Sequence, residues 1–383
     1  MSSRGVKGYE SNVVKFGLVS MLTDASTEMM SSVLPVLMFT LIKMSYWLAG
    51  IIEGLAEASS ALFKYVSGAL TDRVKSRKRL TMLGYTISNL SKPLMSLATS
   101  PSWVASIRIA DRSGKGVREP PRDVIIVESV RKGLWGRAFG LHKMLDQSGA
   151  VLGPIIALAL LSVVDLRLLL ALTVVPGVAA IMLLFTIKEP PTAQASFGRS
   201  EVKGFKPFLA SVGLLSLSSL SFVFVVARGM EVAGQAAYSS AILYVLIQVL
   251  HVAATIPAGE IADRVGRVAS LAVAHGSLVA SMVMLALPTS PLVTYPAIAL
   301  YGFHRGFMLV SERTIIPYMV PEGFRGRAFG LYNAVMGLSS LAGNTVAGFL
   351  YSSLGAQAAF AYASITAFIS MIPLAIIKRS GFK

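Results

Sequence analysis

Long apolar runs, interrupted by short polar segments, fill most of the 383-residue chain. Each run is long enough for a helix that crosses a hydrocarbon layer of about 30 Å, which takes about 20 residues. The pattern predicts an all-α membrane protein with about twelve transmembrane helices. The predicted spans lie near residues 13–41, 46–70, 80–99, 102–127, 137–163, 167–187, 207–229, 236–262, 268–288, 291–317, 328–352 and 356–377.

Composition agrees with a membrane location and narrows the chemistry. Hydrophobic residues make up 54% of the chain and charged residues 14%, far from the balance of soluble domains. Cysteine is absent, which excludes disulfides and thiolate metal sites. The net charge of +16 could suit nucleic acid, but the basic residues lie in short loops and along one helix face. The expected partners are therefore the lipid bilayer and a small solute or ion, without nucleic acid.

The distribution of Lys and Arg among the predicted loops gives an orientation. Basic residues occupy alternate loops, such as 72–79 and 131–137, and both ends of the chain, whereas the loops at 98–103 and 288–291 carry no charge. Basic loops are retained on the cytoplasmic side of a membrane. We therefore expect a multi-pass protein of the cell membrane with both termini in the cytoplasm.

A repeat divides the chain into two halves. The segment GALTDR at 68–73 recurs as GEIADR at 259–264, an offset of 191, and WGRAFGL at 135–141 recurs as RGRAFGL at 325–331, an offset of 190. Two matches at nearly the same offset predict two six-helix bundles in parallel orientation. The predicted parts are an N-terminal bundle at 1–187, a cytoplasmic linker at 188–206 and a C-terminal bundle at 207–383.

A row of charged residues marks the predicted fourth span. Its members follow one another at three- or four-residue steps and therefore share one helix face: Arg108, Asp111, Arg112, Lys115 and Arg118. Even the scales with the lowest insertion penalties give about 2.5–3.5 kcal/mol for one Arg at the centre of a membrane helix. The row is therefore expected to line a wet cavity walled by protein, where it would suit an anionic solute.

Carboxylates in the first two spans are predicted to face this row. Asp24 and Glu28 are four residues apart in the first span, and Glu53 and Glu57 are four apart in the second. At mid-membrane depth an ionised carboxylate needs a cation or must take a proton, so these groups are candidates for proton carriage or cation binding. Pairing of Glu57 with Lys64 would instead neutralise charge without any coupling role.

Other charged residues are fewer. In the fifth span His142, Lys143 and Asp146 form a titratable cluster in which His142 and Asp146 share a face, with a solvated loop-end role as the alternative for His142. The second half is poorer in charge, and Arg228 and Glu231 are expected to form a surface pair at an outer end. Proton coupling is thus expected in the first half.

The repeated loop motif resembles the cytoplasmic loop signature of the major facilitator superfamily of secondary transporters, Gly-x-x-x-Asp-Arg-x-Gly-Arg-Arg. The matching residues are Gly68, Asp72, Arg73 and Arg77 in the first half and Gly259, Asp263 and Arg264 in the second. Lys75 and Ser76 replace the usual Gly-Arg pair. The resemblance covers nearly the whole chain and implies the superfamily fold, a monomer, and a gating role for these residues in alternating access.

Two further motifs resemble those of the superfamily's exporters. The fifth span carries residues similar to the antiporter signature: Gly140, Gly149, Gly153 and Pro154. Ala157 stands in place of the signature's later glycine, and small-residue packing is the alternative reading of this spacing. Arg112 followed by Gly116 resembles the exporter motif whose arginine is linked to proton movement. The resemblance implies export by proton antiport.

These features together predict a secondary transporter that couples proton movement to the export of a small charged or polar solute, with no cofactor besides the proton as coupling ion. The residues predicted to carry the coupling are Asp24, Glu28, Glu57, Asp111 and Arg112. The residues predicted to bind the solute are Arg108, Arg112, Lys115, Glu53, His142 and Asp146. No catalytic residue is predicted, because no nucleophile–base spacing is present.

Two alternatives stay open from the residues. Export of a divalent metal would use hard oxygen and imidazole ligands, although the nearby arginines oppose a cation. Its candidate ligands are Asp24, Glu28, Glu53, Glu57 and His142. A ligand sensor that keeps the fold but does not transport is the second alternative, and the doubled gating motif argues against it.

Overall fold

The computed structural model describes residues 11–71, 74, 76–131, 135–190, 205–218, 220–234, 236–288, 290–319 and 325–379. The described residues form helices almost throughout and no strand. The helices are α1 (Ser11–Pro35), continued by the π-helix Val36–Leu41, α2 (Tyr46–Thr71), α3 (Arg77–Ser91), continued by the 3-10 helix Lys92–Leu97, α4 (Pro101–Glu128), α5 (Trp135–Leu160), α6 (Leu166–Leu172), α7 (Val174–Phe185), α8 (Phe205–Ser218), α9 (Phe222–Ala233), α10 (Ala237–Arg264), α11 (Arg267–Ala286), α12 (Pro291–Met319), α13 (Arg325–Leu354), α14 (Ala356–Ile369) and α15 (Met371–Arg379). The predicted all-α membrane fold is confirmed, and each predicted span coincides with one helix or with two consecutive ones.

Seven helical stretches among the described residues are long and apolar enough to cross a membrane by length and composition alone. They are Ala138–Leu160, Leu166–Phe185, Phe205–Ala233, Ala237–Ala262, Arg267–Ala286, Ala328–Leu354 and Ala356–Ile377. Helices α1 to α4 and α12 fall outside this set although each is part of a predicted span. Helices α1, α2 and α4 carry charged residues that the sequence places inside the membrane, and these residues lower the mean hydropathy of the three helices.

Side-chain caps fix the starts of several helices. Ser76 accepts a hydrogen bond from the backbone N–H of Arg79 at the start of α3. Ser100 accepts one from the N–H of Trp103 and is followed by Pro101, whose fixed φ suits the first helical position of α4. Short polar caps between apolar runs thus set where these helices begin.

The chain forms two compact units. Unit 1 comprises Met1–Val33 and Ser59–Ser196, and unit 2 comprises Leu34–Ala58 and Phe197–Lys383. Residues 34–58, which the repeat assigns to the first half, therefore pack with the second. Most of the predicted linker at 188–206, namely residues 191–204, lies outside the described residues.

Glycines explain the packing of residues 34–58 within unit 2. A Cβ atom added to Gly50 would lie 2.2 Å from the carbonyl oxygen of Asn344, and one added to Gly348 would lie 2.6 Å from the carbonyl oxygen of Tyr46. The rings of Tyr46 and Tyr351 stack with their centroids 3.9 Å apart. The first half of α2 and α13 are therefore in backbone contact, which larger side chains would prevent.

Candidate functional site

The charged row of α4 lies inside unit 1. Arg108 has no exposed surface, Asp111 is 2% exposed and Arg118 is 4% exposed. Arg112 and Lys115 are half-buried. The helix presents this face to protein, as the cost of charge in lipid requires.

Two glycines of α4 let neighbouring helices approach this row. A Cβ atom on Gly114 would lie 2.7 Å from the backbone nitrogen of Ser88 in α3, and one on Gly116 would lie 2.5 Å from the carbonyl oxygen of Ser60 in α2. The close approach of α3 brings the Ser88 hydroxyl to the Asp111 carboxylate. The Gly-Lys-Gly sequence at 114–116 therefore serves helix packing on both sides of the charged row.

A chain of polar contacts links the acid and base of the row. The Ser88 hydroxyl donates to Asp111 Oδ1 at 2.6 Å and accepts from Arg118 Nη1 at 3.0 Å. The guanidinium of Arg118 lies 4.5 Å above the ring centroid of Tyr85, a cation–π arrangement. Its Nη2 lies 3.8 Å from Oδ1 of Asp24 in α1. Arg118 thus connects Asp111 and Asp24, a role beyond its predicted place in the charged row that would suit an anionic solute.

Asp24 is the more accessible member of this pair. Its side chain is 21% exposed, whereas that of Arg118 is 4% exposed. Its separation from Arg118 is longer than the 2.7–2.9 Å that is typical of a charge-assisted hydrogen bond. The carboxylate is therefore loosely held and open to a proton or a small donor group.

Lys92 is a residue of this cluster that the sequence reading missed. It is fully buried, and its Nζ donates to the carbonyl oxygen of Thr23 at 3.1 Å and to Oδ1 of Asn89 at 3.0 Å. Asn89 in turn donates from Nδ2 to the Thr23 hydroxyl at 3.0 Å. The available signal was a lone lysine inside an otherwise apolar predicted span, which marks a functional candidate by default.

The charged cluster of α5 has its own partners. Lys143 Nζ lies 2.6 Å from Asp146 Oδ2. His142 is 1% exposed, and its Nε2 lies 3.0 Å from the Ser20 hydroxyl, which in turn lies 3.0 Å from the Tyr85 hydroxyl. The solvated alternative for His142 is therefore wrong, because its ring is buried and contacts Ser20 of α1.

The antiporter-like motif brings α5 against α1. A Cβ atom on Gly149 would lie 2.1 Å from the carbonyl oxygen of Met21, and one on Gly153 would lie 2.9 Å from Cβ of Glu28. Pro154 follows within the helix, and an added Cβ on Gly140 would meet nothing within 4 Å. Two members of the motif thus pack the helix that carries Asp24 and Glu28, as the small-residue alternative predicts.

The four carboxylates predicted to face the row are divided between the units. Asp24 and Glu28 belong to unit 1, whereas Glu53 and Glu57 belong to unit 2. Glu53 is 2% exposed, and its Oε2 accepts a hydrogen bond of 2.8 Å from the Ser221 hydroxyl. Sequence spacing put both pairs at one depth but contained no information on which unit the start of α2 joins.

Lys64 has a different partner from the one considered from sequence. Its Nζ lies 2.9 Å from Oε2 of Glu119, on α4, rather than pairing with Glu57. The predicted surface pair of Arg228 and Glu231 is confirmed for Glu231, which is exposed, but not for Arg228. Arg228 is only 6% exposed. Its guanidinium pairs with Glu231 and also donates to the carbonyl oxygens of Leu285 and Leu287, so three acceptors surround it.

The metal alternative gains no support from this geometry. Among the residues that the structure describes, no three His, Asp or Glu side chains come together as a metal site would need. A tight cation site needs several convergent oxygen or imidazole ligands.

The gating motif is only partly covered by the structure. Asp72, Arg73 and the side chain of Asp263 lie outside the described residues. Arg77 is buried, forms an ion pair with Glu128 at the end of α4 and donates to the Thr71 carbonyl oxygen at 3.3 Å. Arg264 is exposed, and Cβ atoms added to Gly68 or Gly259 would meet nothing within 4 Å. The gating role of these residues stays a prediction.

Unit 1 contains buried ion pairs and hydrogen-bonded ionisable side chains within its helices. Ionisable residues inside membrane helices mark the pathways of solutes and ions, so these features are typical of a membrane transport protein. The model of the Major Facilitator Superfamily matches residues 16–311 and 241–381 of the chain. An uncharacterised MFS-type transporter of Methanocaldococcus jannaschii is 30% identical over 383 residues, and the match covers 96% of this chain and 94% of the length of that relative. The chain belongs to the Major Facilitator Superfamily.

Solved structures share the fold. The nucleoside transporter NupG superposes with a TM-score of 0.75 at 14% identity, covering 96% of this chain and 98% of its own. A POT family transporter in complex with 5-aminolevulinic acid gives a TM-score of 0.81 at 13% identity, covering 99% of this chain and 98% of the transporter. A bacterial homologue of the iron transporter ferroportin gives 0.74 at 15% identity, covering 96% and 98%. At these identities the likeness extends to the fold alone.

Proposed function

We propose that the protein is a proton-coupled exporter of a small charged or polar solute, in which Asp24 carries the proton. The observation that carries this proposal is the environment of Asp24. Its carboxylate is 21% exposed and lies 3.8 Å from a buried arginine, so it can exchange its partner without unpacking the unit. Asp111, by contrast, is buried with Oδ1 occupied by Ser88, and it acts as a fixed charge.

Antiport requires that proton and solute exclude each other at one group. A solute that presents an ammonium, amide or hydroxyl donor to ionised Asp24 would prevent its protonation, and protonation would release that solute. Such competition is reciprocal because the coupling free energy is shared by both ligands. The half-buried Arg112 and Lys115 on the same row would bind an acceptor or anionic part of the solute.

A solute that is purely anionic would behave differently. It would draw Arg118 away from Asp24 and so favour protonation, which gives movement of solute and proton in the same direction. The sign of the proton response therefore reports which group of the solute meets Asp24. Export by antiport predicts a solute with a donor group.

The test is solute-driven proton movement in sealed vesicles that contain purified protein and an internal pH dye. The panel holds organic anions, cationic drugs, amphoteric solutes and divalent metals. We expect one class to drive proton movement in the wild type, and the signal to disappear in Asp24→Asn and weaken in Arg112→Ala. Asp123→Asn is the matched control. It removes a carboxylate from α4, the helix of the charged row, but this side chain is 44% exposed and pairs with Arg122.

Two results would contradict the proposal. Solute binding without proton movement in the wild type would favour uniport or sensing. An undiminished proton signal in Asp24→Asn would place the coupling on another residue.

A further inference from the structure

Lys92 holds α1 at the residue before Asp24. Its Nζ donates to the carbonyl oxygen of Thr23 at 3.1 Å, and this oxygen also accepts from the Thr27 hydroxyl at 2.9 Å. Asn89 completes the connection with bonds to Lys92 and to the Thr23 hydroxyl. The start of the 3-10 helix is therefore attached to the turn of α1 that carries Asp24.

The same lysine stands beside the Asp111–Arg118 contacts. It follows Ser88 by four residues, about one helical turn, along α3 and its continuation, and its charge interacts with that of Asp111. Ser88 bonds both Asp111 and Arg118. Lys92 is thus placed where it bears on the backbone and on the electrostatic field of the proposed proton site.

A buried ammonium group at position 92 is energetically unfavourable if its role is only to donate a hydrogen bond to a carbonyl oxygen. Burying an ammonium group has a large desolvation penalty, whereas a neutral amide donor would make the same bond at lower cost. The bond to Thr23 therefore accounts for the geometry of Lys92 but not for its charge. Its charge acts on the acidic groups around it, which are Asp111, Asp24 and Glu28.

We propose that Lys92 is a positioning residue for the proton step, which places Asp24 against Arg118 and sets the pH at which Asp24 takes its proton. This inference rests on the proposed proton carriage by Asp24. The other charged groups that act on Asp24 are Asp146 of α5, Lys115 and Arg118 of α4, and Glu28 of α1 itself. None of these four residues is altered in a variant that changes only Lys92.

The experiment measures protonation of Asp24 without any solute. A hydrophobic carbodiimide reacts with protonated carboxyl groups, so labelling of the Asp24 peptide, followed by mass spectrometry over a wide pH range, gives a titration midpoint. Removing a unit charge from a neighbouring helix turn, in a medium of effective dielectric constant about 20, moves such a midpoint by about one to two pH units. We expect Lys92→Met to shift the midpoint upward by this amount, and Lys92→Arg to restore the wild-type midpoint.

The control is Lys15→Met. Lys15 also lies on α1 and also donates to a backbone carbonyl, that of Thr186 at 2.7 Å, but it lies more than two turns closer to the start of the helix than Asp24. Its removal should leave the Asp24 midpoint unchanged. If Lys92→Met does not fold, Lys92→Gln removes the charge while keeping a donor, and the same upward shift is expected.

An unchanged midpoint in both charge-removing variants would overturn the inference while leaving the proposed function intact. A shift in Lys92→Arg as large as that in Lys92→Met would overturn it too, because packing alone would then explain the effect. Labelling of wild-type Asp24 that does not depend on pH would overturn both the inference and the proposed function.

Discussion

Replacing Gly149 with alanine should force α1 and α5 apart. The added Cβ atom would lie 2.1 Å from the carbonyl oxygen of Met21, and ordinary van der Waals contact begins at 3.4 Å, so the helices must separate by about 1.3 Å. The obstacle is backbone, which cannot rotate away as a side chain can. Overpacking of this kind costs about 1–3 kcal/mol. The Ser20–His142 hydrogen bond of 3.0 Å spans the same two helices and would be opened by the same movement.

The matched control is Gly140→Ala on the same helix. There an added Cβ meets nothing within 4 Å, so the substitution should only raise helix propensity and stabilise by up to about 1 kcal/mol. Thermal unfolding in detergent, followed by tryptophan fluorescence, should place Gly149→Ala below and Gly140→Ala at or above the wild type. Equal midpoints for the two variants would refute the close-packing argument.

The separation of α1 and α5 can also be measured directly, by labelling a pair of cysteines introduced into the two helices, because the chain has no native cysteine.

The remaining predictions concern two polar pairs. Lys64→Ala should lower the free energy of unfolding by about 1–3 kcal/mol because it leaves the half-buried Glu119 carboxylate without its 2.9 Å partner, and adding Glu119→Ala should recover part of that loss. Additive losses in this double-mutant cycle would show that the two charges do not interact. Tyr351→Phe removes a 2.8 Å hydrogen bond to Glu231 but keeps the ring, and it should cost about 1.5–3 kcal/mol in thermal unfolding. The exposed Tyr65, changed in the same way, should leave unfolding unaltered, and a similar loss in both tyrosine variants would count against the hydrogen bond.

Hydropathy predicted the helices of this protein well because the membrane imposes one dominant rule on the sequence. Each span must be apolar for about 20 residues and must satisfy its own backbone hydrogen bonds, which only a helix can do. The same rule contains no information on which helices pack together. Residues 34–58 look in sequence like part of the first half, whereas contacts such as those of Gly50 and Gly348 place them in the second unit.

The candidate site was predictable where periodicity alone decides it. The row on α4 follows from three- and four-residue spacing, and three of its five members are buried while Arg112 and Lys115 are half-buried. The partner of Asp24 did not follow, because a choice between Arg112 and Arg118 depends on helix rotation and side-chain reach. Lys92 was not predicted because helical spacing identifies charges that repeat, whereas Lys92 is a single ionisable residue within an apolar span.

Proton exchange on solute binding tests the central claim most directly. Purified protein in weakly buffered detergent solution would be mixed with the solute found in the vesicle panel while the pH of the medium is recorded. Competition at Asp24 predicts that wild-type protein releases protons on binding and that Asp24→Asn binds the same solute without releasing any. Proton uptake by the wild type, or an equal release from Asp24→Asn, would contradict antiport through this carboxylate.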